Sequence, residues 1–465
     1  MKADRSRNRR LFLIANKLVS VITLFFFSAG YVFALPAGQQ VVNGQASFAT
    51  QGNNLTITNS PNSIINWQGF SINSNEAVRF IQQYGSSAVL NRVIGQDPSR
   101  ILGLLQSNGR VFLINPSGIL FGQGARIDVN GLFASTLNIS NQDFLAGKYN
   151  FTAGAFAGSI QNQGTITTPE GGKVYLIAPD IENSGIINSP KGDVILAAGH
   201  SVQLVDSLNP DISIVVSAPE NKAVNLGQIV AQSGKVGIYG GLISQRGIIN
   251  ADSAVSEGGR IFLKATKSIE LADTSVISAD GTKGGQIIAK TEENGQISGT
   301  LTARGLLSAQ GDGSKDSGGF IETSAAKVDL NGIRVRTNGG NWLIDPYDFT
   351  IAATGGDING PDLSGLLGTN SVAINTTTGT NSATNRYATT SGNGDIFVND
   401  TVGWSTNSTL TLSAYRNIYI NSTLNGSGAA KLALEYGQGA SKTNNTATYS
   451  VNAPVNLPGG NNFST

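Results

Sequence analysis

The chain has 465 residues, with 58 Gly, 13 Pro, no Cys and one Met, and only 13% of it is charged. That composition excludes a coiled coil, and a hydrophobic share of 40% excludes plain disorder. The formal charge of +1 hides an asymmetry: Lys2, Arg5, Arg7, Arg9, Arg10 and Lys17 stand against Asp4 at the start, and the remainder holds 25 basic and 29 acidic residues, with no basic footprint for nucleic acid.

The N-terminus reads as a targeting segment. A basic stretch ends at Lys17 and an apolar one follows from Leu18 to Ala29. Val32 and Ala34 occupy the −3 and −1 positions of a cleavage site between Ala34 and Leu35, so residues 1–34 are expected to be a signal peptide. The apolar core is about a dozen residues, short of the ~20 needed to span a bilayer, and no later run is long enough. The mature chain is therefore expected to have no transmembrane helix. Without cysteine, an exported chain must draw its stability from its core. Residues Gln40 to Phe70 are expected to cap the first coil, whose edge would otherwise invite aggregation.

The middle of the chain repeats. Gly172 opens GKVYLIA, Gly192 GDVILAA, Gly234 GKVGIYG, Gly259 GRIFLKA, Gly285 GQIIAK and Gly319 GFIETSA. The spacings are 20, 42, 25, 26 and 34 residues, the 42 being read as two units with one degenerate copy. Interleaved with these are NQGTI at Asn162, NSGII at Asn183, NLGQI at Asn225 and SQRGII at Ser244. Val174, Leu176 and Ala178, like Val194, Leu196 and Ala198, alternate with the period of a strand. Short strands at this period bury little alone, but stacked coils pair strand on strand and share one apolar column. The fold expected is all-β: a right-handed, single-stranded parallel β-helix with an N-terminal cap. Residues 35–345, at ~22 per coil, would make ~14 coils and a rod near ~65 Å. Corner Gly and Asn are expected to supply positive φ, and successive corner Asn side chains to hydrogen-bond along the axis. A sandwich or WD-type propeller fits neither the period nor the motifs.

Residues 35–150 repeat less but carry longer blocks: SAVLNRV, SNGRVFLINPSGI and NGLFASTLNIS, within Phe80 to Ser140. In Asn115-Pro116-Ser117-Gly118-Ile119 the residue before Pro is pushed extended, Pro presets φ and Gly118 can take a positive φ. Between the strand-like VFLI and ILF this is a rigid corner between coils. Asn130-Gly131 reads as a second one.

These blocks, with SAPENKAVNLGQI from Ser217 and NWLIDPYDFTI from Asn341, resemble the secretion domain of two-partner secretion exoproteins of the filamentous-haemagglutinin type, in particular its high-molecular-weight adhesins. The resemblance covers about residues 35–350. It departs where the family's Asn-Pro-Asn-Gly-Ile appears here with Ser117. It implies a secretion domain over 35–290 and further coils over 291–345. It also implies that Asn115, Pro116, Ser117, Gly118, Ile119, Asn130 and Gly131 belong to a segment needed for export. The implied partner is an outer-membrane β-barrel transporter with periplasmic binding modules, and the implied destination is the surface or surroundings of a Gram-negative-type bacterium. Adhesion to host-surface or cell-surface glycans or proteins is implied by the resemblance alone.

The competing class is a β-helical polysaccharide-active enzyme. Such chemistry needs paired carboxylates or calcium with a basic residue, and the chain has no Asp-Asp pair. Its single His, His200 in AAGHSVQL, reads as a corner or partly buried residue, and Gly199-His200-Ser201 lacks the nucleophile-elbow pattern. Asp312 and Asp316 lie in a sequence without the calcium-repeat pattern and read as a solvent loop. No enzyme activity, cofactor or metal is expected.

After Asp345-Pro346 the composition shifts to Thr, Ser, Asn and Gly. STLTLSAYRNIYINSTL and KLALEYG still read as strands, and Thr369 to Gly392 as a surface loop or a disordered stretch. Residues 346–465 are thus expected to form a further β region, ending without a cap as a truncated frame or a short exoprotein would. Asn-x-Ser/Thr sites cluster here at Asn375, Asn399, Asn407, Asn421, Asn425, Asn444 and Asn462, and the adhesin resemblance implies asparagine glycosylation, with Asn407, Asn421 and Asn425 the candidates.

Overall fold

The computed structural model describes residues 35–204, 214–217, 220–377, 392–439 and 446–465. The chain divides into a unit Met1–Phe33 and a unit Ala34–Thr465. The signal peptide and Ala34 of its cleavage pair lie outside the described residues. Strand accounts for 52% and helix for 3%, and the large sheet is parallel. The all-β expectation holds, and the fold is a parallel β-helix.

Each coil contributes short strands to three sheets. The second sheet shows the stacking most plainly. Gly131–Ser135 pairs with Arg110–Ile114 on one side and with Lys173–Ile177 on the other, all parallel and in register. Strand follows strand in this way from Ser63–Trp67 to Phe463–Ser464, fifteen rungs among the described residues. At ~4.8 Å per step the rungs span about 65–70 Å. Eleven of the fifteen end by Asp345, fewer than the ~14 coils expected over 35–345. Excursions from the coils account for the difference.

The 42-residue spacing shows how. Asp193–Ala197 pairs directly with Lys235–Tyr239, so Gly192 and Gly234 open adjacent rungs and there is no degenerate copy. The extra length leaves the solenoid: Ser201–Leu204 pairs antiparallel with Ile214–Ser217 and with Tyr149–Thr152, forming a small sheet outside the coils. Beyond Asp345 the coils continue. Ser371–Asn375, Thr409–Ser413 and Lys431–Glu435 extend the second sheet. The loop read at Thr369 to Gly392 therefore contains a strand at its start, and positions 378–391 lie outside the described residues.

The interior is one continuous apolar column. Val174, Leu176, Val194, Leu196, Ile229 and Ile261 are wholly buried, each worth ~1.5–3 kcal/mol relative to exposure. At one corner the column is polar. Asn162 Nδ2 donates to Asn183 Oδ1 at 2.7 Å, Asn183 Nδ2 to Asn225 Oδ1 at 2.8 Å, and Asn225 Nδ2 to Gln245 Oε1 at 2.9 Å. The ladder is closed at both ends: Asn162 Oδ1 accepts from the Gly164 N–H, and Gln245 Nε2 donates to the Gly247 carbonyl. All four side chains are fully buried. A buried polar column of this kind is stabilising because every member is satisfied.

The glycine two residues after each ladder residue is there for space, not for positive φ. A Cβ on Gly185 would lie 2.2 Å from the Gly164 carbonyl oxygen, and one on Gly227 would lie 2.1 Å from that of Gly185. Neither has positive φ. At the next corner the positive φ falls on Gly171, Lys191 and Ser233, one residue before the repeat glycines. The expected left-handed corners thus exist, supplied by a glycine on one rung, Gly171, and by Lys191 and Ser233 on the next two.

Farther along, the outside of the second sheet becomes charged. Lys290 Nζ lies 3.5 Å from Glu292 and 3.8 Å from Glu322, and Asp345 stands in register with Ser324 and Lys290. Desolvation pushes the Asp345 carboxyl up to about 6, opposed by Lys290 and aided by Glu322. Its folded value lies above its unfolded one, so its contribution is most favourable below pH 4 and is lost as pH rises towards 6.

Two outcomes follow. Asn183→Ala strands Asn162 Nδ2 and Asn225 Oδ1 in the interior, and should lower stability by about 2–4 kcal/mol, read as faster amide exchange in 160–188 and 222–230. Asp345→Asn should raise the denaturant midpoint at pH 8 by about 1–2 kcal/mol equivalent while leaving that at pH 4 nearly unchanged.

Candidate secretion site

The three sequence blocks lie side by side on consecutive rungs of the second sheet. Ala88 is opposite Arg110 and Gly131, Leu90 opposite Phe112 and Phe133, and Arg92 opposite Ile114 and Ser135. Ala88, Leu90, Phe112, Ile114 and Phe133 face outward and are nonetheless buried. A strand exposed on one side would alternate. These runs are apolar on both faces because both faces are covered. The same holds for Tyr175 and Ile177, so the alternation expected for KVYLIA is correct for the inner column and incomplete for the strand.

The cover is built from the end of the third block. After Ser135 the chain leaves the coil, and Leu137 and Ile139 pack outside it, wholly buried. Ser140 then caps helix α1 (Asn141–Leu145), its side chain accepting the Asp143 N–H at 2.9 Å. This places Phe144 edge-on against Phe112 at 5.2 Å, and Phe112 stacks on Phe133 at 4.1 Å. Phe133 in turn meets Tyr175 at 4.8 Å. Such pairs add ~0.5–1.5 kcal/mol each beyond their buried area. The small antiparallel sheet completes the cover with Phe151 and Val202.

Arg92 ties the cover to the coils. Its guanidinium donates to Asn138 Oδ1 at 3.1 Å, to Asn141 Oδ1 at 2.8 Å and to the Ile139 carbonyl at 2.6 Å. Burial lowers its pKa. It sits inside SAVLNRV but was not singled out by sequence reasoning. Its signal was available: a lone charged residue on the outward face, where Ala88 and Leu90 are apolar.

The Asn115 corner follows the strand that carries Phe112. Asn115 is fully buried, its Nδ2 donating to the Asp97 carbonyl and to Ser99 Oγ, both at 3.0 Å. Its Oδ1 accepts the Ser117 N–H at 2.9 Å, closing an Asx turn. Gly118 has the expected positive φ, +121°. Ser117 enters this turn through its backbone, so the departure from the family's Asn leaves the turn intact. Pro116 accepts from the Gly158 N–H at 2.7 Å, and Ile119 donates to the Ser159 carbonyl at 3.1 Å. The corner is therefore locked to the coils on both sides.

Asn130 and Gly131 occupy a different corner. The register shifts between Val129 and Gly131, and Asn130 reaches the Gly85 carbonyl at 3.5 Å. The strand Gly131–Ser135 separates this bulge from Ser135, whose carbonyl accepts the Asn115 N–H. The two predicted segments thus lie at opposite ends of the covered strand Gly131–Ser135.

The other candidate residues are scattered. His200 is exposed, with Nε2 3.3 Å from the Asn221 side-chain nitrogen. Asp312 accepts the Ser314 N–H at 2.9 Å in an exposed loop, and Asp316 has a positive φ nearby. No group of three His, Cys, Asp or Glu residues among the described residues could hold a metal. Asn407, Asn421 and Asn425 are exposed. Asn421 Nδ2 donates to Asn399 Oδ1 at 2.8 Å and its Oδ1 accepts from Asn452 at 2.7 Å. No helix among the described residues is long and apolar enough to cross a membrane.

Residues 33–288 match the family model of the TPS secretion domain. The heme/hemopexin-binding protein of Haemophilus influenzae strain Rd is 41% identical over 127 residues, which is 27% of this chain and 14% of that protein. A second Haemophilus influenzae heme/hemopexin-binding protein is 40% identical over 88 residues, 19% of this chain and 10% of that one. The chain thus spans a small part of the curated relatives it matches. The crystal structure of the HMW1 secretion domain from Haemophilus influenzae is 28% identical, with a TM-score of 0.63, covering 86% of this chain and all of that one. A covered solenoid carrying the three blocks on adjacent rungs, matched over more than half its length, places this chain in the TPS secretion-domain family, the exported partners of two-partner secretion.

Proposed function

We propose that residues 35–290 are the address by which a partner outer-membrane β-barrel, through its periplasmic binding modules, selects this chain and passes it to the cell surface or medium. The observation that carries this reading is the coincidence of the family match, which ends at residue 288, with the external cover, whose last member is Ile288. The outward column Tyr175, Ile195, Gly237, Phe262, Ile288 changes to Glu322 at the next rung. Beyond Ile288 the outward apolar cover gives way to charge, as at Glu322, with only the small buried cluster of Ile297, Ala326 and Tyr347 among the described residues. The adhesive or ligand-binding activity of the complete exoprotein belongs, in this reading, outside residues 35–290.

The Asn115 corner acts through the fold. It fixes where the covered strands end, and its buried amide has no face to offer a partner. Of the asparagine sites, Asn407 and Asn425 present amide nitrogens with no acceptor among the described residues, whereas that of Asn421 is held in its ladder. The first two are the better sugar acceptors.

Co-expression with the cognate transporter tests the export reading. Deleting 35–290 should abolish appearance in the medium, and continued export would sink the proposal. Asn115→Ala should reduce export in step with a stability loss of about 1–3 kcal/mol. Full export at reduced stability would show the corner dispensable. In the exported protein, intact mass should show sugar lost in Asn407→Gln and Asn425→Gln and retained in Asn421→Gln, and the reverse pattern would refute the assignment.

A further inference from the structure

Among the described residues two pairs of outward-facing rings stack from rung to rung, and one of them lies in the open. Phe112 on Phe133, at 4.1 Å with 7° between the planes, is wholly buried, and the Tyr149 ring sits 5.5 Å from each. The second pair is Phe397 on Tyr419, at 5.0 Å and 7°. Its sheet is formed by Phe349–Ile351, Ile396–Val398, Ile418–Ile420 and Tyr449–Val451, parallel and in register. Ile396, Val398, Ile418 and Ile420 are wholly buried in the column, so Phe397 and Tyr419 between them point outward. Both stay partly exposed, and no third ring of the described residues packs on them.

The stack ends in a step. Ser450 stands in register with Tyr419, on the last strand of this sheet among the described residues. A serine in place of a third ring leaves a gap one rung high, ~4.8 Å, beside the Tyr419 ring. Polar groups border it. Asn417 Nδ2 donates to the Tyr419 hydroxyl at 3.0 Å, so that hydroxyl keeps its own proton to give. At the far end of the strands Asn421 Nδ2 donates to Asn399 Oδ1 at 2.8 Å, and Asn452 Nδ2 to Asn421 Oδ1 at 2.7 Å. The ladder from Asn162 to Gln245 is buried and closed at both ends. This one is exposed, and Asn452 Oδ1, two residues past Ser450, has no donor among the described residues. The guanidinium beside Tyr419, that of Arg416, is already paired with buried Asp395.

We infer that the step over Ser450, against the Tyr419 ring, binds an uncharged pyranose sugar, an inference that rests on the reading that ligand binding lies outside residues 35–290. A pyranose has an apolar face of C–H groups and a rim of hydroxyls that both donate and accept. The Tyr419 ring matches the face, and its hydroxyl and Asn452 Oδ1 match the rim. The buried stack shows that a further ring fits against such a pair, since Tyr149 takes that place there. An acidic sugar gains nothing extra, because Arg416 already has its carboxylate. A purely aromatic ligand would leave the hydroxyl and the amide unmatched.

The test is saturation-transfer NMR on residues 35–465, produced without asparagine glycosylation so that no attached sugar occupies the face. The probes are the methyl pyranosides of galactose, glucose, mannose and N-acetylglucosamine, with that of glucuronic acid as the charged arm. At least one neutral probe should bind with a dissociation constant on the order of 1 mM, unchanged between ~0.05 M and ~0.5 M salt. Ser450→Ile fills the step with a side chain that offers no ring face, and should weaken binding about tenfold with an unchanged melting curve. Tyr419→Leu, which keeps apolar bulk, should do the same to binding, and Ser450→Ala, which leaves the step open, should bind like wild type. No binding of any neutral probe, equal binding by Ser450→Ile or Tyr419→Leu, equal loss in Ser450→Ala, or tighter binding of the charged probe overturns the site. Amide exchange with the probe present separates this failure from that of the reading it rests on. Protection appearing within residues 35–290 removes both, whereas protection beyond 290 and away from Tyr419 removes the site alone.

Discussion

Main-chain pairing between successive coils is the constraint from which the rest follows. Once rung is hydrogen-bonded to rung in parallel register, each side chain stands ~4.8 Å from its counterpart above and below. Whatever occupies a position must therefore tolerate its own kind. Asn162, Asn183 and Asn225 do so because an amide is both donor and acceptor and can pass a hydrogen bond along the axis. Gly185 and Gly227 do so because the carbonyl of the preceding rung fills the space a Cβ would need. Phe112 and Phe133 do so by stacking.

The same pairing explains why a secretion domain needs more than coils. A bare parallel sheet wets one face, and its outward side chains are free to be polar. Here nine rungs of the second sheet, from Ile64 through Ile288, turn apolar residues outward and bury them in one cluster, to which α1 and the small antiparallel sheet contribute Phe144, Phe151 and Val202. Arg92 holds that cover at the point where it leaves the coil. The long matching blocks are long because each supplies an inner strand face, an outer strand face and a connection to a corner or to the cover.

Much of this was legible in the residues. The strand period of Val174, Leu176 and Ala178 and the repeated glycine spacing gave the solenoid, and the recurring corner Asn gave the amide ladder. Three things were not legible. The 42-residue gap looked like two units, because nothing local distinguishes a degenerate coil from an excursion that pairs with Tyr149–Thr152, some fifty residues earlier. The corner glycines looked like carriers of positive φ, because close approach to a neighbouring rung has the same local signature. Arg92 was passed over because its three acceptors lie 46 to 49 residues away. The continuous apolar runs VFLI and VYLIA did announce a two-sided cover, but only a reading that took both parities of the strand would have found it.

Hydrogen–deuterium exchange along residues 35–465 tests the central claim, that the family's domain is the doubly covered part of one continuous solenoid. Amides of Arg110–Ile114, Gly131–Ser135, Lys173–Ala178 and Asp193–Ala198, paired on both edges and covered on both faces, should exchange most slowly. Protection in the same sheet should step down beyond the rung that carries Ile288, at Phe320–Ser324, Asn341–Asp345 and Thr409–Ser413. Equal protection across that boundary would contradict the account.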